Sequence, residues 1–87
     1  MQLKRDRIFK RQYEKLDRSI REKFKARLYL LVADETNPLL NNHKLRGFYA
    51  GYSSINITGD WRLVYKKLDS QTYYLRAVGT HHQLFGM

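Results

Sequence analysis

No cysteine occurs among the 87 residues. Its absence excludes a disulfide framework and a thiolate metal site, and it fits a reducing compartment. Proline occurs once, and no apolar run approaches the ~18 residues that a membrane span requires. The opening "MQLKRDRIFK" has no long apolar stretch after its charges, so no secretory leader is expected and the chain reads as cytoplasmic. A phosphate-cradling glycine loop and a Ser-His-Asp signature are also missing, which leaves nucleotide-dependent phosphoryl transfer and serine hydrolysis without support. Acidic residues are scarce: eight Asp and Glu face seventeen Lys and Arg, for a net charge of +9.

That positive excess is spread along the chain. Residues 1–35 carry eleven basic and six acidic groups, and residues 36–87 carry six and two. A basic tail on a neutral domain is therefore not the pattern. A whole domain of this charge attracts polyanions through counterion release and long-range steering, so nucleic acid or an acidic protein is the expected partner. Seven tyrosines, four phenylalanines and a tryptophan, within a 43% hydrophobic composition, are too many for a disordered chain. The length allows one domain, spanning 1–87, with a single core.

Phe9, Tyr13, Leu16 and Ile20, then Phe24, Leu28 and Leu31, recur at helical spacing. They predict an antiparallel helix pair over roughly 6–16 and 18–34, the second capped by Asp17 or by Ser19 with Glu22 in an S-x-x-E pattern. "DETNPLLNNHKLRG" holds the lone proline and breaks the helix. The period then changes to two: "YSSINI", "WRLVYKKL" and "TYYLRAV" read as three strands joined by "TGD" and "LDSQ", with "QLKRD" as a possible short edge strand. The expected fold is α+β, two N-terminal helices packed on a twisted antiparallel sheet of three to four strands.

The three histidines are His43, His81 and His82. His43 precedes the first main strand and His81 follows the last, so a meander can bring them to one face. Imidazole titrates near ~6.5 and suits proton transfer at neutral pH. Beside a bound phosphodiester, one such group removes the ribose 2′-hydroxyl proton and another protonates the departing 5′-oxygen, while a nearby Arg or Lys stabilises the phosphate charge. The bland alternative is that both are surface residues. No metal site is expected, because adjacent His81 and His82 point to opposite faces of an extended segment. In "GDWRLVY", Asp60 sits at a turn and either caps it or orients a histidine. Trp61, Leu63 and Tyr65 share one strand face, and Arg62 and Val64 the other. Trp61 is a core residue or a platform for an unpaired base, Phe85 offers a second platform, and Arg62 suits bidentate phosphate binding.

The order "FKRQYEKLDRSIREKF", "HKLRG", "GDWRLVYK", "VGTHHQLFG" resembles the RelE/ParE superfamily of bacterial type II toxins, and within it the mRNA-cleaving RelE- and YafQ-like members. The resemblance extends from about residue 5 to 86. It implies a cytoplasmic endoribonuclease, independent of metal or other cofactor, that cuts mRNA in the ribosomal A site until a cognate antitoxin, an acidic segment wrapping the toxin, covers it. It implies His43, Asp60, Trp61, His81 and Phe85 as active-site positions. Arg62 and Arg46 match arginines of the RelE-type pattern, with Lys44 as a further phosphate ligand. His81 and His43 are then the acid and base, in either order, with Asp60 and Arg62 completing the catalytic set and Trp61, Phe85, Arg46 and Lys44 contacting RNA. Two positions depart from the YafQ-like pattern: Ser54 stands where a carboxylate is common, and Asn56 where a histidine is. Asparagine cannot shuttle a proton in this range, so acid-base work falls to His43 and His81. His82 has no counterpart in the motif and reads as an exposed residue or a helper in RNA binding. The competing classes are a ParE-like inhibitor of DNA gyrase without nuclease chemistry and a non-catalytic RNA-binding protein.

Overall fold

A computed structural model describes residues 1–86. The chain begins with an edge strand, β1 (Gln2–Arg5), and enters α1 (Arg7–Glu14). Asp6 caps that helix, its carboxylate accepting from the Ile8 amide at 2.8 Å. Helix α2 (Arg18–Ala33) follows after a tight turn. Of the two cap candidates, Asp17 does the work, accepting from the Ile20 amide at 2.9 Å, and Ser19 lies exposed inside the first turn. Arg21 reaches back from α2 to donate to the Tyr13 and Glu14 carbonyls at 3.2 and 2.8 Å, satisfying free acceptors at the end of α1. No helix among the described residues is long and apolar enough to cross a membrane.

The rest of the chain forms β2 (His43–Lys44), β3 (Ser53–Asn56), β4 (Trp61–Asp69), β5 (Thr72–Thr80) and a terminal helix, α3 (His81–Phe85). Spatial order is β1-β5-β4-β3-β2. The sheet is therefore five-stranded and mixed, a correction to the antiparallel sheet of three to four strands expected from sequence. "QLKRD" does supply an edge strand, but it runs parallel to β5, with Gln2 opposite Thr72 and Arg5 opposite Leu75. Nothing in four residues announces the direction of a partner seventy positions away. Two-residue β2 is too short to show an alternation. The three main strands fall where the period-two pattern put them.

Register sorts the side chains into two faces. Ile55 pairs with Leu63 and Leu63 with Val78, and all three pack with Phe9, Phe24, Leu31 and Leu40 into the core beneath the helices. Each such side chain contributes about 1.5–3 kcal/mol when fully buried. Between Leu75, opposite Tyr65, and Ala77, opposite Val64, the residue Arg76 has no partner in β4. This bulge lets both Leu75 and Val78 serve the core. On the second face lie two cross-strand rows, Ser54–Val64–Ala77 and Asn56–Arg62–Gly79. Helix α3 closes over the latter: a Cβ on Gly79 would stand 3.0 Å from Gln83 Oε1 and 3.3 Å from the Leu84 side chain. A side chain at 79 would make the Gln83 and Leu84 side chains give way by a few tenths of an ångström.

Two polar devices fix the ends of this frame. The Asp6 amide donates to the Leu75 carbonyl at 2.9 Å, and the Asp6 carboxylate accepts from the Tyr74 hydroxyl at 2.5 Å. The Tyr74 bond, helped by the Ile8 amide and Arg76, holds the Asp6 carboxyl below its ordinary pKa. At the other end Thr80 and Gln83 form a capping box, and Gly86, at φ 74°, ends α3 with its amide on the His82 carbonyl.

Replacing Asp6→Asn keeps a competent cap and removes only the charged acceptor, so it is expected to cost about 1–2 kcal/mol at pH 7. Because the folded-state pKa is lowered, that contribution is complete above the ordinary Asp value of ~3.9 and is lost as pH falls through the lower folded value. Denaturant titrations at pH 7 and pH 3 should therefore show the gap between wild type and variant closing in acid. For Thr80→Ala, loss of a cap of about 1 kcal/mol should speed amide exchange in α3 roughly 5-fold while core strands keep their protection.

Candidate active site

His43 is placed by the two asparagines before it. Asn41 turns the chain at a left-handed φ of 45°, which asparagine tolerates, and Asn42 is gripped by the Tyr65 hydroxyl at 2.9 Å. Burial, the main influence on Tyr65, keeps that phenol protonated beyond its ordinary range and so a lasting donor. The His43 Nδ1 lies 2.8 Å from the Asn41 carbonyl oxygen. A carbonyl only accepts, so Nδ1 carries the hydrogen of the neutral ring and the lone pair is on Nε2. His43 is otherwise exposed, on the edge strand.

His81 is the first residue of α3. The extended tail expected from sequence is instead helical, since β5 stops at Thr80, the helix cap. The His81 amide donates to the Asp60 carbonyl at 2.9 Å, which binds the new helix to the β3–β4 turn. Phe85, four residues on and therefore on the same helix face, meets the His81 ring edge-on with centroids 5.0 Å apart. Tyr49 abuts Phe85 at 5.9 Å, and the Arg76 guanidinium lies 5.7 Å from the Tyr49 ring.

Arg62 projects from β4 on the same face. It is half-buried, and its Nη1 donates to the Thr58 and Trp61 carbonyls at 3.1 and 3.2 Å. Three further N–H donors of the guanidinium remain for other partners. Together His43, Arg62, His81 and Phe85 line an open cleft of about 430 Å³, with Asn41, Leu45 and Ser54 completing its walls and floor. Two imidazoles thirty-eight positions apart in sequence thus share one cleft with a guanidinium, on the face of the sheet opposite the core.

The remaining expected residues are distributed around it. The Asp60 side chain is exposed at the hairpin tip, and its backbone carbonyl is what touches the site, through the His81 amide. Trp61 is half-buried on the opposite face of β4 and packs against the core edge, so it does not line the cleft. Lys44 is exposed in β2 and lines a neighbouring groove of about 360 Å³ with His43, Lys66 and Lys67. Arg46 is exposed just before the Gly47–Tyr49 turn, and His82 is exposed on α3. Sequence reasoning passed over Asn41 and Tyr49. Both are ordinary turn residues until the fold sets them beside His43 and Phe85. Among the described residues, no three His, Asp or Glu side chains gather in a way that could hold a metal ion.

The whole described chain, residues 1–86, matches the family described as bacterial toxin of type II toxin-antitoxin system, YafQ. The mRNA interferase toxin YafQ of Escherichia coli (strain K12) is 37% identical over 62 residues, which cover 68% of this chain and 66%, just under two thirds, of that protein. The crystal structure of YafQ from E. coli strain BL21(DE3) superposes with a TM-score of 0.78 at 25% identity, covering 97% of both chains. That of the E. coli DinJ-YafQ toxin-antitoxin complex does so with 0.78 at 24% identity, over 97% of this chain and 96% of the other. The helix pair, the mixed sheet and the match along residues 1–86 make this chain a member of the YafQ family of bacterial type II toxins.

Proposed function

We propose that the protein is the toxin of a type II toxin-antitoxin system and acts as a ribosome-dependent, metal-independent endoribonuclease that cleaves mRNA in the A site. The observation that carries this reading is the cleft itself, where a histidine whose Nδ1 lies on a backbone carbonyl, a second histidine and an arginine converge on a space open to a polynucleotide. His43 presents the Nε2 lone pair and acts as general base, taking the proton of the ribose 2′-hydroxyl. The 2′-oxygen attacks the adjacent phosphorus as the bond to the 5′-oxygen breaks. His81 is the general acid and supplies a proton to that leaving oxygen. The products are a 2′,3′-cyclic phosphate and a 5′-hydroxyl.

Arg62 stabilises the charge that develops on the phosphate, and it is already oriented by two backbone carbonyls, so little reorganisation is needed. Phe85 stacks on an unpaired base at the cleft wall, and Lys44 and Arg46 draw the flanking phosphates. Asp60 contributes by anchoring His81 through its carbonyl, and Trp61 by seating the hairpin that carries Asp60 and Arg62. The substrate is mRNA on the ribosome. The net charge of +9 suits that substrate and equally suits an antitoxin whose acidic segment folds on binding and covers the toxin. Such a complex is cytoplasmic.

The variant His81→Ala should cleave mRNA on programmed ribosomes 10²- to 10⁴-fold more slowly than wild type while keeping its melting temperature and its affinity for the antitoxin. Mapping of mRNA 5′ ends after induction should show new ends at codon-phased positions with the wild type and none with the variant. Continued cutting by His81→Ala, or growth arrest with DNA damage and no new ends, would refute the assignment.

A further inference from the structure

Residues 45–52, which join β2 to β3, form a loop closed by its own backbone. The Leu45 amide donates to the Tyr52 carbonyl at 2.9 Å across its base, and within it the Ala50 amide meets the Gly47 carbonyl and the Tyr52 amide the Tyr49 carbonyl, both at 3.0 Å. Gly47 turns the chain at a left-handed φ of 68°, which favours glycine. The loop is therefore a fixed shelf. It begins two residues after His43, and Leu45 at its base belongs to the cleft wall.

Tyr49 is the centre of that shelf. Its ring stands edge-to-face with those of Phe48, Tyr52 and Phe85, at 4.9, 6.5 and 5.9 Å between centroids, and the Arg76 guanidinium lies 5.7 Å from it. Contacts of this kind hold rings in a set orientation. Phe48 differs from its neighbours: it packs on Tyr49 yet is 83% exposed. A side chain so exposed gains little from folding. Single exposed apolar residues are ordinary, but this one ends a chain of ring contacts, Phe48 to Tyr49 to Phe85 to His81, that begins in the cleft. The same stretch carries exposed Lys44 and Arg46, Lys66 stands 4.9 Å over the Tyr52 ring, and residues 43–59 contain no Asp or Glu. An exposed ring on a rigid support among cations suits an unpaired base, which stacks on the ring while the cations hold its phosphates. A nucleotide joined covalently to the one in the cleft cannot stray far from it, so the cleft itself delivers a base to this ring.

We propose that Phe48 is a stacking platform for the base of an mRNA nucleotide next to the scissile linkage, seated by Tyr49 and acting beside Phe85. This rests on the ribonuclease reading and deepens it, by adding a residue that binds substrate outside the reacting cleft.

The test compares wild type with Phe48→Ala, Phe48→Leu and Phe48→Tyr in single-turnover cleavage of mRNA on programmed ribosomes. Because the ring is mostly exposed, all three variants should keep the wild-type melting temperature. The half-saturating toxin concentration should rise roughly 5- to 100-fold for Phe48→Ala, the range spanned by one base stack. Phe48→Leu, apolar but without a flat face, should lose nearly as much, and Phe48→Tyr should recover most of the loss. An abasic site at one of the two nucleotides flanking the scissile linkage should weaken wild type by a similar factor and Phe48→Ala no further. Half-saturation unchanged in Phe48→Ala, recovery by leucine equal to that by tyrosine, or an abasic penalty that is missing from wild type or equal in the variant would each overturn the assignment. A loss confined to antitoxin binding would overturn it too, and would make Phe48 part of a protein interface. Measuring His81→Ala alongside separates the two levels. If that variant cuts normally, the ribonuclease reading fails. If it is dead while Phe48→Ala matches wild type, only the role of Phe48 fails.

Discussion

Pairing of Ile55 with Leu63, and of Leu63 with Val78, commits the alternate residues of β3, β4 and β5 to opposite sides of the sheet. Side chains alternate strictly along a strand, so a slip of one residue would put Ser54 and Arg62 into the core and Ile55 and Leu63 into the cleft. The apolar side resists such a slip with several fully buried residues, each contributing about 1.5–3 kcal/mol. The polar side contributes little energy and inherits its geometry. Placement of the site is in this sense a by-product of how the core is packed.

That dependence extends to the two ends of the sheet. The bulge at Arg76 keeps β5 in phase with the core over its full length, so Gly79 faces the cleft side and leaves room for α3. The capping box of Thr80 and Gln83 starts the helix at once, and the Asp60 carbonyl receives the first amide. His81 is held by its backbone at that junction, and His43 by Asn41, whose own conformation depends on the turn and on the neighbouring Asn42–Tyr65 bond. The His43 ring is oriented by a backbone carbonyl.

Electrostatics act on two scales here. The overall +9 works at a distance, raising the rate of encounter with any polyanion and falling away with salt. Within the cleft, a single guanidinium fixed by the Thr58 and Trp61 carbonyls gives direction to that attraction. Other cations serve the frame or the approach. Arg21 caps α1, Lys67 pairs with Glu35 at 3.4 Å, and Lys66 stands over the Tyr52 ring at 4.9 Å.

Helical spacing from Phe9 to Leu31 and the alternation after Tyr52 were enough to define the helix pair and the three main strands, because both are set by contacts between near neighbours in sequence. The sequence also carried the chemistry: the residue types at 43, 62, 81 and 85 and the absence of cysteine limit what can be done there. Long-range pairing was beyond it. The parallel direction of β1, the existence of two-residue β2, the helical rather than extended path of His81 and the side of the sheet taken by Trp61 all depend on partners tens of residues away. The same holds for Ser54, which is an unremarkable polar residue in an alternating stretch until the ladder buries its hydroxyl without a partner beside His43 and Arg62. Composition and spacing determined which groups this protein has to work with, and only the assembled sheet, by gathering three distant side chains on one face, decided which of them meet.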